Sequence, residues 1–166
     1  MNTLVFLLDE LKLSPTQGAL RSSVSAGHTD IVRVLIEHGI SPALLENRAI
    51  IDACGYGFYD TAKVLLSDSR VDPSAQRNAA LIRASGNGST EIVKLLLSDS
   101  RVDPNARNGE PLCLAIMNGH TSTVRLLLDN PRVNRSGSIM SSLYSAQSKG
   151  FTEIVEMINN DPRFSK

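Results

Sequence analysis

The sequence predicts an all-α array of stacked helix-turn-helix units, and three observations carry that prediction. The seven residues SDSRVDP occur twice, from Ser67 to Pro73 and from Ser98 to Pro104, an offset of 98 − 67 = 31 residues. Other positions keep the same offset: Gly57, Gly88, Gly119 and Gly150 form one column, and Ala53, Ala84, Ala115 and Ala146 another. Between these markers the apolar residues follow a helical period, as in STEIVKLLLSDS, where Ile92, Val93, Leu95, Leu96 and Leu97 form one wide face and Lys94 interrupts it. A fixed period of about 20 to 50 residues marks a repeat architecture.

The elements follow in order. Residues 1–14 open on the second half of a unit, because TLVFLLDELKLSP aligns with TAKVLLSDSRVDP without a gap. They predict a lone helix able to cover the first full repeat, with Val5 and Phe6 leaving apolar surface there. Full units are then expected over 15–41, 42–72, 73–103 and 104–134, with a C-terminal repeat or cap over 135–166, all within one domain. In each unit a first helix ends at the glycine column, where a left-handed residue stops it. Ile50, Leu81, Leu112 and Leu143, with the alanines, are its expected core side. The second helix begins with an acid (Asp30, Asp60, Glu91 and Glu153) that complements the helix dipole. Arg33, Lys63, Lys94 and Arg125 hold one column expected to face water. SDSRVDP then closes the helix, its valine filling the space beneath the turn, and the proline prevents continuation. The Asp and Arg of this loop read as a solvated turn with weak ion pairs rather than as a charged binding strip. Asn159 and Glu156 make the last helix polar where earlier units are apolar or basic, as a solenoid cap requires.

Composition narrows the function. Lys plus Arg and Asp plus Glu both number 17, so the basic excess of a nucleic-acid binder is missing. Aromatic residues are 4% with no Trp, which argues against base-stacking platforms. The longest apolar run, LVFLL, is too short to span a bilayer. Two cysteines, Cys54 and Cys113, two units apart, suit packed thiols in a reducing compartment rather than a disulfide. The G-x-G pairs at Gly55 and Gly86 sit on the helix-ending column without the strand and third glycine of a dinucleotide loop. His28 and His120 are three units apart and share no metal. No Ser or Cys has a recognisable base partner. The expectation is therefore a non-enzymatic protein with no cofactor and no metal, binding neither nucleic acid nor membrane. A cytoplasmic or otherwise intracellular monomer is expected, with the nucleus open.

The stretch GEPLCLAIMNGHTSTVRLLL is similar to the ankyrin signature, with Glu110, Pro111, Leu112 and Cys113 in the T-P-L-H places. SAGHTDIVRVLIEHG resembles the second half of such a repeat. The chain thus resembles the ankyrin repeat family from Pro15 onward. It departs in having a longer closing loop, a degenerate T-P-L-H set and a period below the usual ~33 residues. The resemblance implies an all-α ankyrin-repeat solenoid with short or absent β-hairpin fingers. This style is similar to divergent ankyrin arrays of giant DNA viruses of amoebae.

In that family partners bind the concave face, built from finger tips and the exposed side of the first helix. Carried over by column, the resemblance implies a protein-binding face made of Asp52, Tyr56, Arg77, Arg83, Asn87, Arg107, Asn108, Leu114, Met117 and Asn118. Tyr56, Arg77, Arg83, Arg107, Leu114 and Met117 are the expected anchors, since binding energy concentrates in aromatic, Arg and large apolar residues. These columns differ from repeat to repeat while the core columns hold. The expected function is protein–protein interaction through this face. The alternative is a structural spacer, or a fragment of a larger array, without a dedicated partner.

Overall fold

A computed structural model describes residues 15–134 and 139–164. The helix expected over 1–14, with Val5 and Phe6, lies outside the described residues. Ten helices are described and no strand occurs among the described residues. Two compact units divide the chain, Met1–Asp72 and Pro73–Lys166, at a boundary between predicted repeats.

The first unit contains α1 (Gln17–Ser25), α2 (Thr29–Glu37), α3 (Leu44–Tyr56) and α4 (Tyr59–Leu66). Each repeat pairs its own two helices, α1 with α2 and α3 with α4, and like helices stack, α1 on α3 and α2 on α4. The second unit contains α5 (Ala75–Gly86), α6 (Thr90–Leu97), α7 (Ala106–Met117), α8 (Thr121–Asp129), α9 (Ile139–Ser148) and α10 (Thr152–Asn160). There α5, α7 and α9 form one layer and α6, α8 and α10 the other.

The periodic columns are the core. Ile50, Leu81, Leu112 and Leu143 are buried, and the four alanines are fully buried, so first helices approach closely where a larger side chain would separate them. Leu65, Leu96 and Leu127 are sealed on the second helices. Burying a leucine contributes about 1.5–3 kcal/mol, so these repeated positions dominate cohesion. Val71, Val102 and Val133 are buried beneath the closing turns, as expected.

The glycine column serves two ends. Gly27, Gly88 and Gly119 have φ of +69°, +70° and +75°, which stops the first helix. They also receive a ring from the next repeat. A Cβ on Gly27 would lie 2.9 Å from the Phe58 ring, on Gly88 2.5 Å from His120 Nδ1, and on Gly119 2.7 Å from Phe151. His120 Nε2 lies 2.9 Å from the Gly86 carbonyl oxygen, so the imidazole is a stacking element. Paired threonines also join second helices within each unit: Thr29 to Thr61 and Thr90 to Thr123, both Oγ1 to Oγ1 at 2.8 Å.

SDSRVDP has a structural task. Asp68 Oδ1 accepts from the Arg70 amide at 2.9 Å, and Asp99 does the same for Arg101. Asn130–Arg132 and Asp161–Arg163 repeat the turn. Arg132 then donates to the Val102 and Leu97 carbonyls, both at 2.8 Å. Arg163 donates to Leu128, Asn130 and Val133. Leu97 and Leu128 lie in the last turns of α6 and α8, where carbonyls lack intrahelical partners. The cation therefore caps the helix of the preceding repeat and favours its dipole. The expected ion pairs are present at Asp68–Arg70 and Asp99–Arg101 with half-exposed arginines, and Arg132 and Arg163 have this capping task in addition.

The short fingers are left-handed turns. Leu45, Glu46 and Asn47 have φ of 54°, 54° and 61°, and regular helix follows from Arg48. Gln76, Arg77 and Asn78 repeat this, as do Arg107, Asn108 and Gly109. Each turn closes with an i to i−4 bond: Asn47 N to Ala43 O, Asn78 N to Ser74 O, Gly109 N to Asn105 O.

Candidate protein-binding face

In the first unit the predicted face holds Asp52 and Tyr56. The column containing Asp52 was expected to be solvent-facing. Ser22 is exposed, but Asp52 is only 4% exposed, which corrects that expectation. The cause is Arg48, one helical turn earlier, whose Nε donates to both carboxylate oxygens at 2.9 Å. Asp52 in turn raises the basicity of the Arg48 guanidinium, first through this hydrogen bond. Asp52 thus anchors Arg48 one turn away on the same helix face, and the arginine is the more exposed of the two. Tyr56 is 58% exposed at the end of α3, its ring tilted 5.8 Å from that of Phe58.

In the second unit Arg77, Arg83, Asn87, Arg107, Asn108 and Asn118 are exposed, Met117 is 37% exposed and Leu114 is half-buried. Arg83 stands on α5 with Asn87 capping its end, and Leu114 and Met117 stand on the neighbouring α7 with Asn118 capping it. Gly86 leaves room for Leu114, whose Cδ1 would lie 3.4 Å from a Cβ there. The fingers bring Arg77 and Arg107 to adjacent repeats, and Arg107 Nη2 donates to the Gln76 carbonyl at 3.0 Å. Asn118 Nδ2 donates to Gly86 O at 2.7 Å, and Lys149 Nζ to Met117 O at 2.7 Å. Polar side chains of this face therefore bridge one repeat to the carbonyls of the one before, which holds them in register.

Sequence reasoning missed several exposed residues. Leu44 and Leu45, in the first finger, are 50% and 65% exposed, where the next two fingers carry Ala75–Gln76 and Ala106–Arg107. That contrast was visible in the aligned repeats. Lys149 occupies one of the columns before the glycine and belongs with the second-unit set. Met140 and Tyr144, one turn apart on α9, are 55% and 75% exposed.

Nothing in the described residues resembles a reacting centre. Burial pushes the Cys54 thiol up to about 12 and raises that of Cys113 as well, so both stay protonated at neutral pH and lack thiolate character. No group of three or more His, Cys, Asp or Glu is placed to share a metal among the described residues. No described helix is long and apolar enough to cross a membrane.

Stacked helix pairs joined by glycine-ended turns, with unlike exposed side chains on the first helices and fingers, define a repeat protein of the interaction-module class. The family model described as Ankyrin repeats (3 copies) matches residues 43–108 and 81–164, and the chain belongs to the ankyrin repeat family. Among solved structures it is similar to the ankyrin repeat domain of Bcl-3, described as a unique member of the IkappaB protein family. The identity is 25% and the TM-score 0.74, over 96% of this chain and 79% of that one. No curated protein matches the chain.

Proposed function

We propose that the protein is a non-enzymatic binding module that recognises a partner protein through the exposed side of its first helices and fingers. One observation carries the reading: within one array, the buried columns are held constant and the exposed columns of this face are not. Ala53, Ala84 and Ala115 occupy one sealed place, while Glu46, Arg77 and Asn108 occupy one exposed place. Packing fixes the first set, and recognition uses the second. The anchors are Tyr56 in the first unit and Arg77, Arg83, Arg107, Leu114 and Met117 in the second.

Affinity capture from lysate of the natural cell tests this with two variants, Tyr56→Ala and Arg83→Ala/Met117→Ser. Each is first shown to keep the wild-type helical circular dichroism. A partner held by the wild type and lost from either variant supports the face and says which unit carries it. Partners retained equally by all three proteins would reject the face in favour of a spacer role.

A further inference from the structure

The zero net charge of the chain conceals a sorting by face in the second unit. On the first-helix and finger side, Arg77, Arg83, Arg107 and Lys149 are exposed. The carboxylates there are Glu110, 3.6 Å from Arg107, and Asp103 at the finger base. On the second-helix side the balance is opposite: Glu91, Asp129, Glu153 and Glu156 are exposed against Lys94 and Arg125. In the closing loops Asp99 pairs with Arg101 at 2.7 Å and Asp161 with Arg163 at 2.6 Å, while Arg132 is held on the Val102 and Leu97 carbonyls, so this side keeps a small acidic excess.

We infer that the second unit's face is built for an acidic, extended polypeptide segment, a reading that rests on the face proposed above. The occupant follows from three features. The cations recur along the stack: Arg77 and Arg107 on successive fingers, Arg83 on α5 and Lys149 just beyond α9. Stacked helices lie about 8–10 Å apart, and an extended chain of the polyproline-II type rises about 3.1 Å per residue with three residues per turn, so a carboxylate at every third residue points to one side and meets each row. Two of the cations are already positioned by carbonyls, Arg107 on Gln76 O and Lys149 on Met117 O, which lowers the ordering cost of binding. Between them Leu114 and Met117 offer apolar contact that suits side chains and not a sugar-phosphate backbone. No aromatic residue stands in these columns of the unit for a base to stack on. Each exposed charge pair contributes little singly, so recognition is collective and salt-sensitive.

The probes are fluorescein-labelled peptides of about nine residues with Glu, Gln or Lys at every third position and the others randomised, as the repeat spacing sets. An oligothymidylate of matched charge is the competing polyanion. Binding is read by fluorescence anisotropy on the full chain at low and high salt. The expected result is at least about tenfold tighter binding of the Glu set than of the Lys set, weakened by salt. Arg83→Glu/Arg107→Glu loses this binding. Lys94→Glu/Arg125→Glu, an equal charge change on the opposite side, keeps it, and both variants retain wild-type helicity. Three results overturn the inference: no preference for the Glu set, equal loss in both variants, or oligothymidylate binding as tightly as the Glu peptides. If Gln or Lys peptides are selected and Met117→Ser abolishes them, the acidic class is wrong while the binding face stands. If no peptide depends on Arg83, Arg107 or Met117, the face falls as well.

Discussion

Gly119→Ala is the sharpest test of how the repeats are held together. Gly119 has φ of +75°, and a Cβ there would sit 2.7 Å from Phe151 Cζ and 2.9 Å from Cε2, inside any normal carbon contact. Two costs follow. An alanine in the left-handed region costs about 1–2 kcal/mol. Pushing the ring out of its seat is overpacking, about 1–3 kcal/mol. The structure contains its own control: Gly150 has φ of +76° and nothing within 4 Å. Gly150→Ala therefore meets only the backbone cost, about 1–2 kcal/mol, and Gly119→Ala about 2–5 kcal/mol. Urea unfolding followed by circular dichroism at the helical band measures both. In a Phe151→Ala background the ring is gone, and Gly119→Ala costs no more than Gly150→Ala does in the wild type. Costs for Gly119 and Gly150 within about 0.5 kcal/mol of each other in the wild-type background would refute the argument. The glycine column would then be only a helix stop, not a ring seat.

Three further outcomes follow from the same geometry. Ser85 is fully buried and its Oγ finds no hydrogen-bond partner, so Ser85→Ala stabilises by up to about 1 kcal/mol in thermal or urea unfolding. Arg163→Met removes the cap from three carbonyls and costs about 2 kcal/mol in the same assay, whereas Arg70→Met breaks an ion pair within its own loop and changes stability less. Asp161 is held below the ordinary carboxylate range, chiefly by its hydrogen bond from Arg163. A depressed folded value gives stability that is present above the unfolded value near 3.9 and lost as pH falls through the folded one. Asp161→Asn is therefore less stable than wild type at pH 7 by about 1 kcal/mol, and the two converge as pH falls below the ordinary carboxylate range in pH-dependent urea titrations.

The core was legible because packing repeats itself. A column that reads Ala53, Ala84, Ala115 and Ala146 has one physical explanation, and the structure buries every member. The exposure of the second-unit positions was legible for a related reason, since positions free of packing are free to differ. Asp52 was not: its column is polar, and polar reads as exposed, yet an arginine one turn earlier satisfies the carboxylate at low exposure. The arginine caps were hidden because Arg163 and Leu128 are 35 residues apart and meet only after stacking. The left-handed turns left a trace that was passed over. Asn47, Asn78 and Gly109 fill one column with residue types that tolerate positive φ.

Those turns explain why a short finger still presents side chains firmly. Runs of left-handed residues are unfavourable by about 1–2 kcal/mol at each non-glycine position, so the turn persists only where something holds its end. Asn47 Oδ1 accepts from the Asp72 amide at 2.8 Å, and Asn78 Oδ1 from Asp103 at 2.9 Å. The third finger has glycine in that place and no carboxamide to offer. Asn105, four residues earlier, supplies the oxygen to Asn134 N at 2.8 Å, and its Nδ2 donates to Arg132 O at 2.6 Å. The acceptor has moved along the chain while the bond from finger to closing loop has been kept. A bond made by different residues in different repeats marks a structural requirement, not an accident of one sequence. The finger is thus a fixed pedestal tied at its base to the closing loop, which in the third repeat also carries the Arg132 cap. Arg77 and Arg107 rise from it at the spacing of the repeats, which is the geometry an extended acidic partner would read.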